Sequence, residues 1–574
     1  MLPAPFRLFS SRRHDSILGP DITLVSLDIF GLALRRMILA PDDIHLLVDT
    51  FLQRHHNTKI EDYVELRHEA ERRTRVQLGS GVGVGVADIA VELERLLTER
   101  HERSSLDPAT VAGEAIRCEL EIEQLICRRD PETAELYTEA VHRGIDVAFV
   151  ADSTLPRDLV TRMLTDFHYR SDNVLVSSHE GRTLSTGLLD VLLERTGTEA
   201  RQAVHVGPDE ETAVAGAAMS GVKGCLVPPP REQVEDQVVL GATKRTGLDS
   251  IGLALAADRL MKAGPNVTAA DVGYYAAGPL VCGFATWVGQ LIDDIDPDHV
   301  VFYGPTVGFI SRLAIELKPE LAGARLTRFD PSIMPPSDRS PGPATLLDQI
   351  FGFCDKIGVG NDDHILAVDL GWNERKINGL GSAWDLVARH RKVSHAFVGS
   401  CDDQHPAESV HSWAFGPKCD NLISESANER PELFEALFSY AEGGPGSALT
   451  QFPRQDREAF ENGIASYVTD FEPWVRLGGH VVSAAMAEPA IRLVRRPTYA
   501  EARVLADVPS KISDDSGLRR PLVDLPQQNG STPTPQPTEI GASDAIWWQG
   551  YEALLAGDPA AEPARTGRRL GRRA

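Results

Sequence analysis

The chain has 574 residues, 42% of them hydrophobic and 25% charged, which excludes a fibrous repeat or wholesale disorder and predicts two to four folded units. Its 58 Lys and Arg residues against 83 Asp and Glu give a net charge of −25, which argues against nucleic acid as a partner because such a surface repels phosphates. The seven cysteines are scattered without the spacing of a zinc site or a disulfide framework, so we expect reduced thiols in a cytoplasmic protein with no membrane span.

The first strand signal is the apolar run ITLVSLDIF at 22–30, which carries Asp28 close to its end. An acid at the carboxyl end of a buried strand is a common place for chemistry in α/β folds. Residues 1–19 are interpreted as an N-terminal extension. From 41 to 141 the apolar residues recur at helical spacing and predict a helical insertion. Within it, the glycines of GSGVGVGV at 79–86 follow no strand, so we interpret them as a plain loop and predict no cofactor site there.

Strand signals then alternate with helical stretches. The strand candidates are DVAFVAD (146–152), NVLVSS (173–178), AVHVG (203–207) and GCLVP (224–228). This alternation predicts an α/β fold, a Rossmann-like parallel sheet with helices on its faces. We therefore assign 20–230 to one domain, with its core at 20–40 and 142–230 and a helical cap at 41–141.

A second α/β domain is predicted at 235–508. Its strand candidates are HVVFYG (299–304), HILAVDLGW (364–372) and HAFVGS (395–400). Asp369 and Trp372 follow one of these strands and form a candidate ligand site, although packing explains the tryptophan equally well. Residues 509–574 are rich in Pro, Gly, Ser and Thr and predict a disordered tail, in which Trp547 and Trp548 could anchor a protein partner.

Four segments of the first domain resemble the motifs of the haloacid dehalogenase superfamily. VSLDIFGLALRR resembles the first motif and places Asp28 on the family nucleophile, with Phe30 and Leu32 at two positions that are usually polar. VAFVADSTLPRDLV resembles the second motif; Ala151 takes the place of its serine, and Ser153 is a candidate substitute. The helical insertion and the second domain are similar to those of two-domain bacterial relatives found beside glycan-assembly enzymes.

The third and fourth motifs depart further from the family. VSSHEGRTLSTGLLDVL resembles the third motif, with Leu184 where the family has lysine and Arg182 as the nearby cation. The fourth motif is similar to VHVGPDEETAVAGAAMSGVKG. In this segment Pro208 and Ala213 stand where the family has metal-binding acids. The resemblance implies Mg²⁺ held by Asp28 together with Asp209 or Glu210.

Two alternative functions remain open for the first domain, and a third alternative concerns the second domain. The resemblance implies a magnesium-dependent phosphatase that attacks a small phosphorylated metabolite or sugar phosphate through Asp28, with a link to glycan assembly. The replaced motif positions favour instead an inactive relative that serves as a scaffold or ligand-binding module, because a carboxylate without a nearby cation repels phosphate. A transferase activity in the second domain is the third alternative.

Overall fold

The computed structural model describes most of the chain. The described residues are 11–56, 60–100, 107–170, 172–227, 245–303, 307–319, 321, 326–329, 343–369, 387, 391–399, 410–415, 437, 454–478, 482–506, 509–511, 519–521 and 547–556.

The strands form two five-stranded parallel sheets and two short antiparallel pairs. In chain order they are β1 Leu24–Asp28, β2 Leu34–Arg36, β3 Cys127–Arg129, β4 Asp146–Ala151, β5 Val174–Val176, β6 Ala203–Gly207, β7 Lys223–Leu226, β8 His299–Tyr303, β9 Leu326–Phe329, β10 His364–Asp369, β11 Lys392–Gly399, β12 Val410–Phe415, β13 Pro509–Lys511 and β14 Arg519–Pro521.

The α-helices lie between and around these strands. They are α1 Ser11–Ile17, α2 Ile44–His56, α3 Tyr63–Leu78, α4 Val86–Glu99, α5 Pro108–Ile126, α6 Pro131–His142, α7 Arg157–Asp166, α8 Ser177–Glu180, α9 Leu188–Thr196, α10 Ala217–Met219, α11 Gly247–Ala263, α12 Ala269–Val272, α13 Gly278–Ile295, α14 Val307–Leu317, α15 Pro343–Lys356, α16 Arg454–Gly478, α17 Glu488–Arg495, α18 Tyr499–Leu505 and α19 Trp548–Ala556.

The first sheet has β1 at its centre, in the order β5-β4-β1-β6-β7. Every residue of β1 is buried because helices cover both faces, as the continuous apolar run predicts. Val25 and Leu27 pack on one face, while Leu24 belongs to a separate apolar cluster on the other face. The predicted α/β class with a parallel sheet is confirmed, and we call this sheet with its flanking helices the first unit.

A short antiparallel strand pair, which the sequence did not reveal, joins the two ends of the helical insertion. β2 pairs antiparallel with β3, so the four helices α2 to α5 leave and return at one point. We call these four helices the cap. Helix α6, which the predicted boundaries place in the insertion, packs on the first sheet instead, since Leu136 and Ala140 join the apolar cluster of that sheet.

The cap shares a hydrophobic core with the second half of the chain. One continuous cluster contains Val48 and Leu93 of the cap together with Leu248 and Tyr275 beyond it. At the start of α11 a Cβ on Gly247 would approach the Leu47 side chain to 2.8 Å, so α2 and α11 are in close contact. The insertion is therefore stabilised by the following unit as well as by its own helices.

The second sheet is also entirely parallel, in the order β12-β11-β10-β8-β9. The three predicted strands correspond to β8, β10 and β11, and the structure adds β9 and β12 at the edges. We call this sheet with its helices the second unit. Its helical segment 269–295 is long and apolar enough to cross a membrane. However, 89% of its most apolar 18-residue stretch is buried inside the protein, as in the core helix of a globular domain.

Part of the predicted disordered tail is packed against the second unit. Trp547 is 1% exposed, and its indole Nε1 donates a hydrogen bond of 2.8 Å to the carbonyl of Val494. The low-complexity composition of 509–574 predicted no such contact, because one aromatic residue can dock without a surrounding apolar pattern. The prediction of a disordered tail is wrong for residues 547–556.

Replacing Trp547 with alanine should lower the free energy of unfolding by about 3–5 kcal/mol, because a large buried side chain is removed. Trp547→Phe should cost less, about 1–3 kcal/mol, since it removes mainly the donor to Val494. Urea unfolding of the full chain measures both. Unchanged stability in both variants would show that residues 547–556 are not docked in solution.

Candidate functional site

Asp28 lies at the carboxyl end of the central strand of the first sheet. It stands beside Val150 of β4 and is 6% exposed. Directly after it the chain turns at Gly31, whose φ of +97° is favourable only for glycine. In a parallel sheet with this order, ligands bind at the carboxyl ends of the strands near the point where the order reverses. We call this end of the first sheet the site edge.

Two further acids follow the neighbouring strands at the site edge. Asp152 comes directly after β4, and Asp209 comes two residues after β6. Burial raises the pKa of Asp28 well above its usual range, and the charges of Asp152 and then Asp209 raise it further. The N–H of Phe30 and the charge of Arg36 oppose this rise. The ionised form of Asp28 is therefore destabilised by its own surroundings.

Asp152 is held by the backbone of the third motif. Its two carboxylate oxygens accept hydrogen bonds of 3.0 and 3.1 Å from the N–H of Leu184. Burial raises the pKa of Asp152, while the Leu184 N–H and the charge of Arg75 lower it. Arg75 lies in the last turn of α3, so the cap brings a cation towards this acid. Sequence reasoning missed Arg75, because no local pattern links a cap helix to the site edge.

Ser153 and Arg182 both lie in turns, and their roles at the phosphate remain predictions. The Ser153 hydroxyl accepts a hydrogen bond of 3.2 Å from the N–H of Leu155, within the turn that precedes α7. Arg182 is exposed in the turn after α8. The charges of Arg36 and Arg75 lower the pKa of Asp28 and of Asp152, respectively.

Asp209 and Glu210 are both exposed at the site edge. The Asp209 carboxylate accepts a hydrogen bond of 2.8 Å from the N–H of Thr212, at the start of the π-helical turn Glu211–Gly216. Within the described part of the chain, no three acids at this edge bring their ligand atoms within 4.8 Å of one another. Mg²⁺ is commonly bound in proteins by only one or two carboxylates together with several waters.

The apolar residues at the altered motif positions are used in packing. Leu32 and Leu184 are 3% and 1% exposed and belong to the two clusters on opposite faces of the first sheet. The Phe30 ring lies 4.3 Å from the guanidinium carbon of Arg36. Pro208 packs against the turn at Gly31, where an added Cβ would meet its ring at 3.3 Å. These four side chains are therefore used in packing around the site edge.

The glycine-rich segment 79–86 is a loop, as predicted, and it lies against the site edge. The Thr186 hydroxyl donates a hydrogen bond of 2.7 Å to the carbonyl of Gly81, and the N–H of Val86 donates one of 2.9 Å to the carbonyl of Thr154. A Cβ on Gly83 would lie 1.7 Å from the carbonyl oxygen of Ser177. Only glycine allows this approach, so the loop from the cap covers part of the site edge.

His205 lies in the interior of the first sheet. It is fully buried in β6, where its Nδ1 lies 3.0 Å from the Ser26 hydroxyl. Burial lowers its pKa to about 4, against the opposing charge of Asp209. The ring is therefore neutral at physiological pH and adds no positive charge to the site edge.

In the second unit, Asp369 ends β10, which lies in the middle of the second sheet. This is the carboxyl edge of that sheet, next to the change of strand order between β8 and β10. Trp372, the other residue of the predicted ligand site, lies outside the described residues.

No family model and no curated protein matches the chain. Among solved structures it is similar to a 2-haloacid dehalogenase from Pseudomonas syringae, at 18% identity and a TM-score of 0.27 over 35% of this chain and 84% of that one. A predicted phosphoglycolate phosphatase from Haemophilus somnus matches at 16% identity and a TM-score of 0.26, over 36% of this chain and 84% of that one. A predicted phosphatase from Clostridium acetobutylicum matches at 18% identity and a TM-score of 0.23, over 35% of this chain and 82% of that one.

Replacing Asp28 with asparagine should stabilise the protein at neutral pH. The folded-state pKa of Asp28 is raised, so its ionisation opposes folding above that pKa, and the penalty disappears as pH falls towards the unfolded value of about 3.9. The stability gain of Asp28→Asn should therefore shrink as pH falls from 8 to 5, measured by thermal unfolding. The control is Asp146→Asn, at the exposed opposite end of β4, which should follow the wild type. A gain that is absent, or that grows in acid, would contradict this account.

Replacing Gly83 with alanine should displace the loop, because the new Cβ cannot fit against the Ser177 carbonyl. We expect hydrogen exchange of the Val86 amide to accelerate by more than about tenfold, equivalent to roughly 1.4 kcal/mol of local stability. The matched control is Gly113→Ala in α5, where a Cβ meets nothing within 4 Å. Equal exchange in both variants would show that the loop is not seated on the site edge.

Proposed function

We propose that the first unit is a hydrolase of phosphate monoesters in which Asp28 is the nucleophile and a divalent cation is required. The observation that carries this proposal is the group Asp28, Asp152 and Asp209 at the carboxyl ends of β1, β4 and β6. Burial, and then the charges of Asp152 and Asp209, raise the pKa of Asp28, and a cation would offset the negative charge of these acids. An acidic group at the carboxyl edge of a parallel sheet suits a metal-assisted phosphoryl transfer.

Mg²⁺ would be held by Asp28 and Asp209, with Glu210 next to Asp209 as the further predicted ligand. When bound, the ion supplies the positive charge that lets a carboxylate and a phosphate approach each other. It also favours the ionised form of Asp28, which the surrounding acids oppose. Arg75 of the cap adds a second positive charge near Asp152 and is the substitute we propose for the family lysine, with Arg182 as the alternative.

The reaction follows from the positions of these acids. A carboxylate oxygen of Asp28 attacks phosphorus, the bond from phosphorus to the ester oxygen breaks, and the leaving alcohol takes a proton. We assign that proton to Asp152, the neighbouring carboxyl, whose pKa is raised above its usual range chiefly by burial. Water then attacks the aspartyl-phosphate, which releases inorganic phosphate and restores Asp28. Ser153 contributes by holding the turn that presents Asp152.

The cap determines which substrates reach the site edge. The glycine-rich loop lies on Thr154, Ser177 and Thr186, so a substrate has to enter beside it or displace it. This restriction favours a small phosphorylated metabolite or a sugar phosphate over a phosphorylated macromolecule. A role in glycan assembly extends this proposal on the basis of the sequence resemblance.

A ligand-binding module without turnover is the second candidate. It is favoured by the 6% exposure of Asp28 and by the loop that lies over the site edge. In this case the same acids would bind a cation or a cationic ligand, and no covalent step would follow.

Phosphate release from sugar phosphates and an aryl phosphate should require Mg²⁺ and should fall about 10³-fold or more in Asp28→Asn. Asp152→Asn should flatten the basic limb of the pH profile, because it removes the group assigned to proton transfer. Asp146→Asn serves as the carboxylate control and should retain full activity. Equal background rates in the wild type and Asp28→Asn, together with Mg²⁺ binding in equilibrium dialysis that Asp28→Asn weakens, would establish the binding module and overturn the hydrolase.

A further inference from the structure

We propose that the cap carries a binding site for a transition-metal ion of the Zn²⁺ type, formed by Asp42, His45 and His68. Asp42 lies in the 3₁₀ turn Pro41–Asp43, His45 in the first turn of α2 and His68 on α3. One ligand atom from each of these residues lies within 4.8 Å of the other two, and no other group of three among the described His, Cys, Asp and Glu residues meets this spacing. The site is independent of the proposed hydrolase.

The contacts of the three side chains leave room for a shared ion. The Nε2 atom of His68 is 3.7 Å from a carboxylate oxygen of Asp42, which is too long for a hydrogen bond. The rings of His45 and His68 meet edge to face, with their centres 5.2 Å apart. Asp42 and His68 are therefore close without forming a hydrogen bond, and the His45 ring lies beside them. This arrangement is expected where a metal ion binds between the three side chains.

His45 is the anchor of the proposed site. It is 5% exposed, and its Nδ1 has no hydrogen-bond partner. The nearest carboxylate oxygen, on Glu119, lies 3.8 Å from Nδ1. Metal-bound histidines commonly direct the second ring nitrogen to a carboxylate, which orients the ring and increases its basicity. With Nδ1 facing Glu119, Nε2 is the atom left to bind the ion.

The protonation state of His45 suits a ligand. Burial, with the charges of Arg67 and His68, lowers the pKa of His45 to about 3. A neutral imidazole keeps the lone pair that a metal needs, so no proton has to be displaced at physiological pH. The charge of Arg67 is offset by ion pairs with Glu119 and Glu71, at 2.8 and 3.0 Å.

The donor set selects the kind of ion. Two imidazoles and one carboxylate suit Zn²⁺ and its neighbours, whereas Mg²⁺ prefers oxygen ligands only. Asp42 and His68 are exposed, with 77% and 43% of their side-chain surfaces accessible, so an ion can enter from solvent and water can complete its coordination. The ion would connect the start of α2 to α3. The same turn contacts the second unit, since Asp43 accepts a hydrogen bond of 2.6 Å from Ser250.

The test is a Zn²⁺ titration of the full-length, tag-free protein after chelator treatment, followed by calorimetry and thermal unfolding. The wild type should bind one equivalent of Zn²⁺ that His68→Ala and Asp42→Asn bind at least 10–100-fold more weakly, and Zn²⁺ should raise the melting temperature of the wild type more than that of either variant. Both substitutions are at exposed positions, and circular dichroism verifies that the variants fold.

The matched control is His142→Ala, an exposed histidine in the last turn of α6, which should bind Zn²⁺ as the wild type does. An excess of Mg²⁺ should not displace the ion. Identical Zn²⁺ titrations for the wild type, His68→Ala and His142→Ala would overturn the site, whatever the outcome of the phosphate-release assay.

Discussion

Parallel pairing of β1 with β4 and β6 is the constraint on which the rest of the first unit depends. Because parallel strands end at the same edge, the residues after them are brought together whatever their charge. Asp28, Asp152 and Asp209 therefore share one edge, and burial together with the repulsion between these acids raises the pKa of Asp28. The proposed catalytic and binding roles are two ways in which a ligand could relieve this repulsion.

The cap links this edge to the second unit. On one side its glycine-rich loop contacts the turns after β4 and β5, and on the other its helices share an apolar core with α11. Arg35 strengthens the connection, since it is buried and pairs with Asp130 at 3.1 Å and with Asp258 of α11 at 3.4 Å. A change in the packing of the second unit could therefore reach the site edge through the cap, and an ion at Asp42, His45 and His68 would stiffen the cap near this junction.

The altered motif positions have a shared physical explanation. Phe30, Leu32, Leu184, Pro208 and Ala213 all contribute to packing around the site edge. Leu184 keeps a polar contact through its main chain, because its N–H binds the carboxylate of Asp152. The main chain of Leu184 thus holds one of the three acids, while the charges of Arg36 on β2 and Arg75 on the cap act on Asp28 and Asp152, respectively.

The sequence by itself determined the local elements and their class. Apolar runs of five or six residues, alternating with amphipathic helices, predicted the strands β1, β4 to β8, β10 and β11, because burial on both faces of a parallel sheet demands such runs. Only the tertiary structure decided the features that depend on distant residues. These are the pairing of β2 with β3, the edge strands β9 and β12, the packing of Trp547 against the second unit, and the position of the glycine-rich loop. The same holds for Arg75 beside Asp152 and for His45 beside His68. These contacts join segments far apart in the chain, and no local periodicity records which buried surfaces will meet.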